Sequence, residues 1–102
     1  MNDDASEKNL DEGPSVRRRV TITNTRGLHA RAAAKFAGTA GNFDADILVS
    51  RNEQTVSGQS IMGLMMLAAA PGCNIDLVAT GPDAEAAIDA LAALVTDKFQ
   101  ED

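Results

Sequence analysis

The chain has no tryptophan or tyrosine and only one cysteine, one histidine and three prolines in 102 residues; each shortage removes a class of answers. Three phenylalanines are the only aromatics, too few for the base-stacking platforms that hold single-stranded nucleic acid. A net charge of −6 points away from a nucleic-acid partner as well. The lone Cys73 cannot close an internal disulfide, and with one histidine it falls short of a structural zinc site. No metal and no cofactor are expected. Cys73 sits in the loop Pro71-Gly72-Cys73-Asn74 and reads as a packed thiol of a reducing cytoplasm. No stretch approaches the roughly 18 apolar residues of a membrane span, and the N-terminus has no run resembling a signal peptide. A cytoplasmic protein without a membrane contact is the expectation.

What is present divides in two. Residues 1–15 hold five acidic residues, one lysine and only Met1, Ala5 and Leu10 as apolar positions. Such a stretch cannot bury enough surface to offset its ordering, so it is expected to be a flexible acidic tail. Residues 16–102 then keep ten acidic and eight basic residues, and the acidity of the whole chain says little about any site in this second part. At 10.6 kDa the chain makes one domain with a modest core and little surface for a deep cleft. A shallow site suits chemistry between two proteins.

Val16, Val20 and Ile22 share one side of an alternating stretch that runs to Thr23, with Arg17, Arg19 and Thr21 on the other. A helix over Ala30 to Ala40 ends at Gly41. Phe43 to Ser50 alternates as a second strand, and Arg51-Asn52-Glu53 turns it into a short third strand around Val56. Ser60 is placed to cap a second helix that reaches Ala70 before Pro71-Gly72. Ile75 to Thr80 forms a fourth strand, and Gly81-Pro82-Asp83 opens a last helix with Ala84, Ile88, Leu91 and Val95 as its apolar stripe and Phe99 continuing it. The order βαββαβα predicts an α+β fold, helices covering one face of a four-stranded, mostly antiparallel sheet whose other face meets water.

His29 lies where the turn glycine Gly27 hands over to the first helix, in Arg26-Gly27-Leu28-His29-Ala30-Arg31-Ala32-Ala33-Ala34-Lys35-Phe36. A lone histidine at a helix start is by default an exposed or capping side chain. Three neighbours argue for more. Gly27 permits a tight strand-to-helix turn. Arg31 brings a planar fork of donors suited to phosphate oxygens, and the alanines leave room around the imidazole. The first helical turn leaves amide N–H groups unpaired at the positive end of the helix dipole, which favours an anion. No carboxylate stands within ten residues of His29 on either side, so nothing local repels an incoming phosphoryl group.

Gly27-Leu28-His29-Ala30-Arg31, followed some thirty residues on by Ser60-Ile61-Met62-Gly63-Leu64-Met65, resembles HPr, the histidine-containing phosphocarrier family of the bacterial phosphoenolpyruvate-dependent phosphotransferase system. The resemblance spans residues 16–99 and includes the order of elements. It implies an HPr-like open-faced sandwich and a relay in which phosphorylated Enzyme I donates to Nδ1 of His29, which passes the group to an enzyme IIA protein. The chain is then a phosphoryl-transfer carrier rather than a stand-alone enzyme, and a monomer. Arg31 and the backbone amides of Ala30 and Arg31 would hold the phosphate. The family commonly has proline where this chain has Ala32, a good helix former that keeps its N–H.

Two further implications follow from the same resemblance. Ile61, Met62, Met65 and Met66, some of which helical spacing would otherwise assign to the core, take the place of the family's docking surface, and methionine's flexibility suits several partners. Ser60, by default a helix cap, occupies the position that a kinase, HPr kinase/phosphorylase, modifies in regulated members. The alternative function is a regulatory HPr-like protein of the nitrogen-related branch that binds targets according to its phosphorylation state. A ligand-sensing or nucleic-acid-binding domain is the third reading and the one the composition disfavours.

Overall fold

The computed structural model describes residues 15–101, so the predicted acidic tail lies outside the described residues except for Ser15, which opens the first strand. Alternation in β1 (Ser15–Thr21) turns Val16 and Val20 toward the helices and Arg17, Arg19 and Thr21 outward. β2 (Asp46–Arg51) and β3 (Gln54–Ser57) form a hairpin through Asn52-Glu53, and β4 (Asn74–Thr80) lies between β1 and β2. The sheet order is β1-β4-β2-β3 with every neighbour antiparallel, Val20 facing Ile75 and Val49 facing Leu77.

Three helices, α1 (Ala30–Ala40), α2 (Ile61–Met66) and α3 (Ala84–Thr96), cover one face of this sheet. Phe36, Ile22, Leu64, Leu77, Ile88, Leu91 and Phe99 fill the space between the layers, all excluded from solvent. Ala32, Ala33, Ala40 and Ala87 are equally buried, and their small side chains let the helices sit close to their neighbours. The outer sheet face is wet and carries the Arg19–Asp76 ion pair, 2.8 Å across β1 and β4. The open-faced α+β sandwich expected from the sequence is the fold.

Local boundaries differ from the periodicity in three places, each for a reason. Phe43 to Ala45 precede β2 instead of joining it, because Asp44 is tied to the last helix's entry: its N–H donates to Asp83 Oδ2 at 2.8 Å and its carbonyl accepts from Asp83 N at 3.0 Å. Asp83 occupies the N-cap position of α3 without a side-chain capping bond, and Pro82 stands just outside the helix. α2 stops at Met66 rather than Ala70. Ala68 adopts a positive φ of 53°, and the Arg51 guanidinium donates to the Leu67 carbonyl at 3.0 Å, turning the chain out of the helix. Phe99 is buried but does not extend the α3 stripe; it sits in a separate turn, Lys98–Gln100, beyond the end of the helix.

The segment that presents the candidate histidine is fixed by this arrangement. Gly27 has φ +67°, Leu28 is buried, and the Leu28 N–H donates 2.9 Å to the carbonyl of Ala69. A Cβ on Gly27 would lie 2.5 Å from that same carbonyl oxygen. Gly27→Ala is expected to lower stability by about 2–4 kcal/mol, combining left-handed strain with a backbone clash. Urea unfolding should show a lower midpoint at an unchanged slope; a midpoint equal to wild type would refute this account of the turn.

Candidate functional site

His29 is the N-cap of α1, with extended backbone angles of −80° and −179°. Its own N–H donates to the Gly27 carbonyl at 2.9 Å and its carbonyl accepts from Ala33 N at 2.8 Å. The imidazole makes no capping bond, so the ring is free to serve elsewhere. Ala30, Arg31 and Ala32 occupy the first three helical positions, whose N–H groups have no acceptor within the helix. No acidic side chain stands in that first turn. Three donors and the positive end of an eleven-residue helix therefore lie beside the ring.

No carboxylate is near His29 along the chain, but the fold brings one to it. Glu101, 72 positions away, brings Oε2 into hydrogen-bonding contact with His29 Nε2. The two side chains are 15% and 20% exposed, so the contact is partly shielded from water. Glu101 Oε1 accepts from Asn24 Nδ2 at 3.2 Å, and the same amide nitrogen donates to the Gly27 carbonyl at 2.8 Å. Asn24 is almost wholly buried, and its Oδ1 has no partner among the described residues. Both of its neighbours are acceptors, so the nitrogen must face them, and the unpaired oxygen is the cost of that orientation.

The Glu101 carboxyl is held below the usual carboxylate range, chiefly by the hydrogen bond from His29, with Asn24 and the charge of Arg26 adding to it against a burial effect of opposite sign. An ionised carboxylate only accepts, so Nε2 carries a proton. In a neutral imidazole the free lone pair is then on Nδ1. Nδ1 is also the nitrogen that the HPr resemblance implies.

Arg31 lines a shallow cleft together with Arg26, Lys35, Lys98 and Glu101. Lys35 Nζ is bound to the Phe99 carbonyl at 2.8 Å, whereas Arg31 is exposed and has no ion pair among the described residues. Its fork is available to an incoming anion.

Ser60 is the N-cap of α2, its Oγ accepting from Gly63 N at 2.9 Å, as the capping reading expects. Ile61, Met62, Met65 and Met66 are all exposed, at 43%, 71%, 40% and 64%, so none of the four is core. Leu64 and Leu67 supply the buried side instead. α2 packs against α1, and Ala69 beyond its end anchors Leu28, which sets the apolar patch and His29 on adjoining parts of one surface. Cys73 is partly buried and accepts from Arg51 at 3.2 Å. Glu101, Asn24 and Lys35 were not legible as site residues. Their spacing from His29 follows no local rule, and the only trace in the sequence is a glutamate two residues past the apolar Phe99.

Comparison with known proteins gives this geometry a context. A family model described as the PTS HPr component phosphorylation site matches residues 16–97. Phosphocarrier protein HPr of Cupriavidus necator is 49% identical over 86 residues, covering 84% of this chain and 97% of that protein. Phosphocarrier protein NPr of Shewanella violacea is also 49% identical over 86 residues, covering 84% and 94%. The crystal structure of an HPr from Thermoanaerobacter tengcongensis shares the fold at a TM-score of 0.82 and 41% identity, covering 85% of this chain and 98% of that one. Fold and motif together define a phosphocarrier of the phosphotransferase system. The chain belongs to the PTS HPr family.

The Glu101 contact makes a pH prediction. Because the folded-state carboxyl lies below its ordinary value, the contact is fully present above that ordinary value and is lost as pH falls through the lowered one. Carbonyl-carbon NMR of Glu101 should show a titration midpoint below the reference of about 4.3, and His29→Ala should move it back upward. A midpoint insensitive to that substitution would break the link.

Proposed function

We propose that Nδ1 of His29 is the phosphoryl acceptor of this carrier, taking the group from phosphorylated Enzyme I and handing it to an enzyme IIA protein in the cytoplasm. The observation that carries the reading is the N-cap histidine, whose Nε2 is occupied by Glu101 at the head of a helix with three unpaired first-turn amides. Attack by the Nδ1 lone pair forms the new N–P bond as the bond to the donor's leaving atom breaks. The amides of Ala30 and Arg31 and the Arg31 guanidinium meet the phosphoryl oxygens, so positioning and electrostatics supply the catalysis. No metal or other cofactor of its own enters this step, and a monomer suffices. Ala32 at the position where proline is common keeps a third N–H beside the site.

Ile61, Met62, Met65 and Met66 dock the partners. A few exposed apolar side chains give contacts that form and dissolve quickly, as a relay needs. The relatives' names support the carrier reading rather than a purely signalling protein. Incubation with phosphoenolpyruvate, magnesium and Enzyme I should add one acid-labile phosphoryl group to the wild type and none to His29→Ala, as read by intact mass. Labelling of the His29→Ala variant at the wild-type rate would end the proposal.

Ser60 is a site for regulatory phosphorylation by an HPr kinase/phosphorylase. A phosphate there would place charge of roughly −1.5 to −2 at the edge of the docking patch, against a phosphorylated donor. Ser60→Asp retains a side-chain cap and is expected to slow labelling of His29 about tenfold, some 1.4 kcal/mol in the barrier. Ser60→Asn is the neutral capping control, and equal labelling rates for the two variants would remove the charge argument.

A further inference from the structure

The described chain ends in a turn that is strained, anchored and aimed at the ring. Lys98, Phe99 and Gln100 have φ values of 55°, 55° and 64°, three consecutive side-chain-bearing residues in the left-handed region that such residues avoid. Local preference does not produce this conformation, so tertiary contacts impose it. Phe99 is fully buried, and its carbonyl is held by Lys35 from α1 at 2.8 Å. The turn closes through Gln100 N to the Asp97 carbonyl at 2.9 Å and Glu101 N to the Lys98 carbonyl at 3.0 Å. Its product is the placement of one carboxylate on His29 Nε2, steadied by Asn24.

We infer that Glu101 is a positioning residue for phosphoryl transfer, keeping the Nε2 proton in place through the whole cycle. This role rests on His29 being the phosphoryl acceptor. Before transfer, the carboxylate fixes the Nε2–H tautomer and the ring's orientation, so the lone pair on Nδ1 points outward. During transfer, Nδ1 donates that pair to phosphorus, the donor's leaving atom departs with the electrons of the broken bond, and the ring becomes a phosphoimidazolium that still carries its Nε2 proton. Glu101 is the counter-charge to that cation. In the onward step the N–P electrons return to the ring, which leaves as neutral imidazole with the same proton on Nε2. No proton enters or leaves, and no further reactant is required.

The charged groups near Glu101 line one shallow cleft with it. Arg26 comes from the loop before α1, Arg31 and Lys35 from α1, and Lys98 from the last turn, while α2 contributes none. Of these groups Glu101 alone bonds the ring, at Nε2.

Glu101→Gln tests the role, because glutamine preserves shape and an acceptor oxygen but removes the charge. In single-turnover transfer from phosphorylated Enzyme I, the variant is expected to be about ten- to a hundredfold slower near neutral pH. Its onward transfer should also fail at a lower pH than the wild type's as the Nε2 proton is lost. Proton NMR should show a slowly exchanging Nε2–H in the wild type that broadens in Glu101→Gln, with the thermal midpoint of both proteins alike. Glu101→Asp should recover part of the rate. Unchanged rates, pH profile and proton exchange in Glu101→Gln would overturn the role while leaving His29 as acceptor. Absence of any phosphoryl uptake by the wild type would defeat the acceptor reading itself, and this role with it.

Discussion

The hydrogen bond from Leu28 N–H to the Ala69 carbonyl joins the two segments on which everything else at this surface depends. One segment presents His29, and the other ends the apolar helix α2. The bond is possible because Gly27 lacks a Cβ and Leu28 is buried, so the strand-to-helix turn can press against the 68–70 backbone. On the other side, Ala68 takes a left-handed conformation, and Arg51 captures the Leu67 carbonyl to stop α2 early. Two short motifs far apart in sequence thereby become one surface. In the proposed relay the acceptor histidine and the patch that receives its donor have to be adjacent, and this bond ties their two segments together.

The unpaired first-turn amides of α1 begin at His29, and the carboxylate of Glu101 is held on its Nε2. A negative group placed among the amides would compete with phosphate for the same donors. Placed on Nε2, it leaves them open and, in the proposed transfer, fixes which nitrogen is the nucleophile. The structure accepts an unpaired buried oxygen on Asn24 and three left-handed residues to hold that carboxylate there. Strain and an unsatisfied polar atom gathered at one place are what a functional site looks like when its geometry overrides local preference.

Much of the fold was legible because its elements bury regular faces. Val16, Val20 and Ile22, or Ile75, Leu77 and Ala79, alternate as the pleat requires, and α1 matches its predicted limits of Ala30 and Ala40. Misplaced boundaries fall where a distant partner competes with the periodic pattern. Asp83 draws Asp44 out of β2, Arg51 truncates an alanine run that favours helix, and the pocket for Phe99 pulls the chain out of the α3 stripe. In each case a single tertiary hydrogen bond or buried ring outweighs propensities worth only tenths of a kcal/mol per residue. The exposed methionines were ambiguous for the same reason. Helical spacing shows that α2 has a buried side, but only packing shows that Leu64 and Leu67 fill it.

The sequence by itself determined the layer architecture, the histidine, its arginine, the capping serine and the family they resemble, since each is written in residues close along the chain. Tertiary structure decided what stands on the second nitrogen of His29. A contact between positions 29 and 101 has no periodicity and no motif to announce it. It exists because β1, α1 and α3 pack so that the chain leaves α3 beside the start of α1, where burial of Phe99 and the grip of Lys35 hold a strained turn in place. Local physics placed the unpaired amides at the start of α1; global packing supplied the carboxylate on the ring.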